Sequence, residues 1–224
     1  IRDSCDTALT NKRVEGSVTD LVRAARLQSK GTKLTFPIAT SVYWQIISNK
    51  RSRISELKQL SDKMIAITRY SATDYLATLA IDSVHPKYDV YRVQINDVNI
   101  RLKMLLNNEM DAVLLSEPQA TRARLEGHVK LMDSRDKNVR LGVFAFRTEA
   151  LKEPRRKQQL GLFIKAYNMA VDSINKNGVQ HYKDLIIKNC GVDARTVDAL
   201  PKLRYQHAGS PRKHDRNIAN SIKN

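Results

Sequence analysis

Cysteine is nearly missing from the sequence: Cys5 and Cys190 stand alone among 224 residues, with no CxxC pair. That excludes a disulfide framework and a thiolate metal site. It leaves open either one pairing in an oxidising compartment or two free thiols. Glycine is also scarce, at eight residues, and none forms a P-loop, a dinucleotide-binding turn or a GxSxG elbow. The five histidines, His85, His128, His181, His207 and His214, are scattered without HExxH spacing or a triad order. Glu109 and Asp111 fall on opposite sides of a helix-to-strand turn, which is a poor arrangement for an acid–base pair. The residues therefore point to a non-enzymatic protein, with no cofactor and no metal. Nor is there a run of about 18 apolar residues that would cross a membrane as a helix. Arg2, Asp3 and Asp6 break any apolar core that a signal peptide would need at Ile1.

What the chain has in excess is positive charge. Thirty-nine Lys and Arg against 23 Asp and Glu give a formal net charge of +16. Such a balance suits nucleic acid, an anionic membrane surface or an acidic small ligand. The cations are spread along the whole chain, with short clusters only at Lys50–Arg53, Lys152–Lys157 and Arg212–Arg216. Aromatics make up 6% of the sequence, and no ribonucleoprotein-type aromatic motif, zinc-finger spacing or arginine-rich arm accompanies the charge. A basic, solvated surface is the preferred reading, and no nucleic acid partner is expected.

Hydrophobic residues account for 42% and charged residues for 28%, which is globular composition. Val18, Leu21, Val22 and Ala25 have helical spacing and predict a helix over 17–28, capped at Ser17 or the residue before it and ended by Gly31. Two β-prone runs follow, 32–40 and 42–48; Pro37 puts the first at an edge or bend. A regular rhythm then predicts a strand at 64–68, a helix at 73–83, a strand at 90–95 and a helix at 97–108. Next come a strand at 111–115, a helix that Pro118 starts and Gly127 stops, and a strand at 129–132. The expected fold is α/β, built as two lobes, each a mostly parallel sheet flanked by helices. A strand at 141–146 leads into a long helix at 155–176 with Leu160, Phe163, Ile164, Tyr167, Val171 and Ile174 on one stripe. Shorter helices follow, one of them capped by Asp193. The economical assignment gives residues 1–62 and 143–224 to a discontinuous first lobe and 63–142 to an inserted second lobe. The crossovers then fall near 49–62 and 140–148.

Four segments carry a family resemblance: SVTDLVRAARL (17–27), ISELKQLSDKMIAITRYSATDYL (54–76), NEMDAVLLSEPQATRA (108–123), and LGVFAFRTEAL (141–151) with FIKAYNMAVDSIN (163–175). In order and spacing they resemble the type II periplasmic substrate-binding proteins of ABC importers, in the branch that binds nitrate, sulfonates, taurine and thiamine precursors. The third segment, an acidic opening to a strand that ends in Glu-Pro and runs into a helix, is the most specific. Members of that family begin with a strand and a ligand-facing turn ahead of the point matching Ile1. The resemblance therefore implies either that part of the pocket is absent from this sequence or that the chain is a fragment.

The resemblance implies a small anionic or heteroaromatic solute held between the lobes and handed to an ABC permease. It also implies a monomer outside the inner membrane, in the periplasm or anchored by lipid. In the second lobe the expected contacts are Thr68, Arg69, Tyr70, Ser71 and Asp74, with Arg69 gripping an anionic head group and Tyr70 stacking on a ring. Glu117, at the mouth of its strand, is expected to accept from an amine. Thr19, Asp20, Thr40 and Ser41 from the first lobe and Asn96 from the second sit at element ends, as contacts or caps. The same fold also serves the effector domains of transcription regulators and a thiamine-pyrimidine synthase. The first would be marked by a winged-helix segment, the second by a histidine and iron-binding cluster; neither is in the sequence.

Overall fold

The computed structural model describes residues 2–222. Helix α1 (Arg2–Thr10) leads to strand β1 (Gly16–Asp20), helix α2 (Leu21–Ser29), β2 (Leu34–Ala39) and β3 (Trp44–Ser48). Then come β4 (Met64–Ile67), α3 (Ala72–Val84), β5 (Tyr91–Gln94), α4 (Val98–Leu106), β6 (Ala112–Ser116), α5 (Gln119–Leu125) and β7 (Val129–Asp133). The chain closes with β8 (Gly142–Arg147), the long α6 (Pro154–Asn177), α7 (Lys183–Cys190), α8 (Ala194–Asp198) and α9 (Lys213–Ser221). Cys5 and Cys190, in α1 and at the end of α7, are free thiols.

Two sheets organise these elements, ordered β1-β8-β2 and β5-β4-β6-β3-β7. The α/β class stands, but the strand directions differ from a mostly parallel arrangement. The smaller sheet is antiparallel in both pairings. In the larger one, β4 runs parallel to β5 and β6, while β3 runs antiparallel to β6 and β7. Strand β3 is the reason for the change. Its five residues are all buried, and it lies inside the larger sheet instead of beside β2. The passage between sheets thus falls at 40–43, not 49–62, and the return lies at 134–141. Periodicity identified β3 as a strand but carries no information about which sheet takes it.

Residues Gly16–Asp20, expected as the start of a helix, are a strand paired with β8. The cap is Asp20, whose carboxylate accepts the Arg23 N–H at 3.0 Å, and not Ser17. Alternation is clearest in the larger sheet. Ile46, Ile65, Ile67 and Leu114 enter a core shared with α2 and α3, while Ile47, Ala66, Val113 and Leu115 face a second core with α4 and α5. Both faces of these strands are covered, so they read as continuous apolar runs. Pro37 sits at a register shift on β2, an edge strand, as proline requires. Along α6 only Val171 of the predicted stripe is fully buried. The helix meets the smaller sheet chiefly through Phe144 and Phe146 against Phe163 and Tyr167, and Phe163 stays 43% exposed.

The C-terminal ends of β4 and β5 and the middle of β6 are tied together by one buried cation. Arg101, on α4 and 4% exposed, donates from Nε to Leu114 O (2.8 Å) and from Nη1 to Thr68 Oγ1 (2.9 Å) and Ile95 O (2.8 Å). Arg101→Ala leaves two buried carbonyls without this donor and opens a cavity. It should lower the unfolding free energy by about 3–5 kcal/mol, read from urea denaturation; a loss within about 0.5 kcal/mol, the range of ordinary surface changes, would refute this role.

His128, also buried, accepts the Lys50 N–H at Nδ1 (3.2 Å). Burial, and then the Lys50 charge, hold its pKa below the ordinary value, with Glu126 pulling the other way. A depressed histidine favours the fold at pH above its ordinary value, and that contribution is lost as pH falls through the lowered one. The melting temperature should drop between about pH 7 and pH 5, and the slope should flatten in His128→Gln.

Candidate functional site

Where the chain passes from β2 into β3, Gly142 makes the passage possible. A Cβ there would stand 2.1 Å from Val42 Cγ1 and 2.2 Å from Thr40 Oγ1. The Thr40 N–H donates to Gly142 O (2.9 Å) and the Ala39 N–H to Gly209 O (2.7 Å), which fastens the crossover on two sides. Beneath it opens a cavity of about 350 Å³ lined by Thr40–Tyr43, Glu117, Arg135, Tyr167 and residues 202–205. A second hollow of about 260 Å³ shares Thr40–Tyr43, Arg135 and Arg204 and extends the first toward Arg140. The walls come from segments beside the strands and from the helices: the crossover, the turn after β6, the turn after β7, helix α6 and the segment after α8.

Tyr43 is the centre of this site. It is 7% exposed, and its hydroxyl has no hydrogen-bond partner within the protein. The Arg135 guanidinium lies 3.7 Å from its ring centroid, a cation–π contact that fixes the ring. Burial, followed by the negative charge of Glu117, pushes its pKa up to about 12. The phenol therefore stays a neutral donor at physiological pH. Arg135 is itself held by Asp133, through Nε at 3.0 and 3.2 Å and Nη2 at 2.7 Å. Burial raises the Asp133 pKa, but hydrogen bonds from Arg135 outweigh it and hold the carboxyl below the usual range. Burial likewise raises Tyr167 and Tyr205.

Glu117 reaches the cavity wall, but its oxygens are engaged. Oε1 accepts from Gln45 Nε2 (3.1 Å) and Arg124 Nη1 (3.3 Å), and Oε2 accepts a short hydrogen bond from Thr121 Oγ1. Arg124 also donates to Gln45 Oε1 and to Thr121 Oγ1 (2.9 Å). A carboxylate so neutralised repels an anion weakly and has little capacity left for a ligand amine. The Glu117–Pro118 bond is cis.

Of the residues singled out in the sequence, Thr40, Ser41 and Glu117 meet at this cavity. Arg69, Tyr70 and Asn96 line a different one, of about 340 Å³, against α1 and α2. There the Arg26 guanidinium covers Tyr70 at 3.8 Å, so the ring expected to stack on a ligand already has a partner. Asn96 donates to Asp3 (2.8 Å), and Arg23 grips Asp3 and Asp6. Thr68, Ser71 and Asp74 are engaged by neighbouring backbone and side-chain groups. Thr68 accepts from Arg101, Ser71 caps α3, and Asp74 takes the Tyr70 N–H (3.0 Å) and Arg92 (2.9 Å). Thr19 is buried on β1 and Asp20 caps α2, both away from the cavity lining.

Tyr43, Arg135, Tyr167, Lys202, Arg204 and Tyr205 escaped sequence reasoning because they converge from four distant segments. Arg101 did leave a signal: it shares the helix face of Val98, Leu102 and Leu105, where a cation must be buried.

No family model matches the sequence, and no curated protein matches it. Solved structures do. The periplasmic aliphatic sulphonate binding protein SsuA from Escherichia coli superposes with a TM-score of 0.76 at 15% identity, covering 96% of this chain and 75% of that one. The alkanesulfonate-binding protein SsuA from Xanthomonas axonopodis pv. citri, bound to MOPS, gives 0.75 at 16%, again covering 96% and 75%. The Candida albicans CA3427 gene product, described as a new family with the generic periplasmic binding protein fold, gives 0.64 at 13%, covering 88% and 66%. The chain has the fold of the periplasmic binding proteins. Its structural neighbours include sulfonate-binding and other solute-binding components of ABC importers.

Gly142→Ala tests the crossover. Thr40 and Val42 are short, branched and unable to swing clear, so the substitution should cost about 1–3 kcal/mol in urea denaturation. An unchanged midpoint would mean that the crossover is not tightly seated on β8.

Proposed function

We propose that the protein is an extracytoplasmic solute-binding component of an ABC importer, holding a small anionic or heteroaromatic solute in the cavity under the 40–43 crossover. The observation that carries this reading is Tyr43: a buried, neutral phenol on the cavity wall, with an unused hydroxyl and a guanidinium on its ring. Such a donor beside Arg135, Lys202 and Arg204 suits an oxyanion head group. Tyr167 and Tyr205 supply flat apolar surface for the rest of the solute. Glu117, paired with Arg124, shapes the wall and does not oppose the anion.

In this reading the two sheets head two lobes, which move about the passages at 40–43 and 134–141. That differs from a division at residues 62 and 143 by assigning β3 to the larger lobe. The solute passes to a membrane permease, and the binding protein acts as a monomer. The second cavity, at Arg69 and Tyr70, has Arg23 paired with Asp3 and Asp6 and Arg26 stacked on Tyr70, and this reading does not assign the solute to it.

A thermal-shift screen with nitrate, alkanesulfonates, taurine, thiamine and its pyrimidine precursors, and a short DNA duplex tests the reading. One small solute at about 100 times its dissociation constant should stabilise the fold by roughly 2.7 kcal/mol. Tyr43→Phe should weaken that solute about tenfold, for one lost hydrogen bond; Arg135→Gln should weaken it further. Silence from every small molecule, or a response that neither variant alters, would reject the assignment.

A further inference from the structure

At the other end of the smaller sheet lies a hollow that the solute site does not use. Its volume is about 470 Å³, and its charged lining consists of Lys12, Lys30, Lys33, Arg147, Lys152 and the single carboxylate Glu149. These positions come from the ends of α1 and α2, the start of β2, the end of β8 and the turn before α6. Glu149 is matched by Lys12 at 3.3 Å, and both side chains are about two-thirds exposed, at 68% and 65%. Among the described residues, Lys30, Lys33, Arg147 and Lys152 have no carboxylate within 4.0 Å. Four uncompensated cations thus share one concavity, where low-dielectric walls concentrate their field. The backbone beneath them is braced. The Thr148 N–H donates to Lys33 O (3.0 Å), the Gly31 N–H to Gln28 O (3.0 Å), and Arg147 Nε to Val14 O (3.0 Å).

We propose that this hollow binds a multiply charged phosphate-type anion, either free or as a lipid head group. A monovalent anion would neutralise one of the four cations, whereas a pyrophosphate-sized group can reach several at once. The volume lies within the range of small-molecule sites. The site is independent of the solute cavity. Lys33 precedes β2 and Thr40 follows it; Gly142 opens β8 and Arg147 closes it. A six-residue strand therefore keeps the two apart by roughly 20 Å.

The test is a thermal shift of the full chain with sodium pyrophosphate against sodium sulfate at matched ionic strength. It is run on the wild type, on Lys33→Gln/Lys152→Gln, and on Tyr43→Phe. Pyrophosphate at about 100 times its dissociation constant should raise the melting temperature by about 5–10 °C beyond sulfate. The double lysine variant should lose most of that rise, and Tyr43→Phe should keep it. Co-sedimentation with phosphatidylcholine vesicles carrying phosphatidic acid separates the sources. Vesicle binding that disappears in the lysine variant assigns a head group; pyrophosphate binding without it assigns a free anion. The proposal fails if pyrophosphate and sulfate act alike and the lysine variant responds as the wild type. It also fails if only Tyr43→Phe abolishes the shift, which would put the anion in the solute cavity. A DNA duplex that binds through Lys33 and Lys152 while pyrophosphate gives no shift would equally overturn it.

Discussion

Arg101 is a guanidinium taken almost wholly out of water, and the larger sheet is arranged around keeping it satisfied. Its donors reach a carbonyl in the middle of β6, a carbonyl just past β5 and the hydroxyl that follows β4. Three parallel strands are thereby gathered at the edge where their polar turns begin. Burying such a cation is tolerable only when its donors are matched with good geometry. Thr68 therefore has a structural duty that competes with any role toward a ligand. The same logic extends along that edge, where Ser71, Thr73 and Asp74 spend their side chains on the backbone of one tight turn.

A second polar assembly closes the neighbouring part of the edge. Glu117 draws Gln45 from β3 and Thr121 and Arg124 from α5 into one network. This neutralises the carboxylate and joins the antiparallel strand to the helix that follows β6. The consequence for the cavity is electrostatic. Its negative group is internally compensated, whereas Lys202 and Arg204 project from the exposed segment after α8. The concave surface is consequently biased toward anions, although a carboxylate forms part of its wall.

Superposition on solved structures at 11–19% identity and the lack of any match by sequence are consistent with each other. Burial pattern and strand order tolerate wide substitution as long as volume and periodicity persist. Function does not follow from the fold, and the Candida albicans relative carries the same fold under a description that names no transport role. The case for solute binding therefore rests on Tyr43, Arg135 and the cavity between the sheets.

The sequence by itself determined the α/β class, the position of most helices and strands from β4 onward, and the Pro37 irregularity, because these depend on local periodicity and turn chemistry. It also determined the excess of positive charge. Tertiary structure alone decided that β3 inserts between β6 and β7, that the smaller sheet is antiparallel, and that Gly16–Asp20 is a strand. Each is a pairing between distant segments, and a five-residue apolar run is compatible with several neighbours. The lining of the candidate cavity divided in the same way. Glu117, Thr40 and Ser41 were legible because they stand at element ends beside distinctive turns. Tyr43, Arg135 and Tyr205 were not, since an isolated aromatic or cation has no spacing to mark it, and Tyr167 was legible only as one member of a helical stripe. Only packing brought those rings and charges to one wall, and only packing turned Arg26 onto the ring of Tyr70, away from that wall.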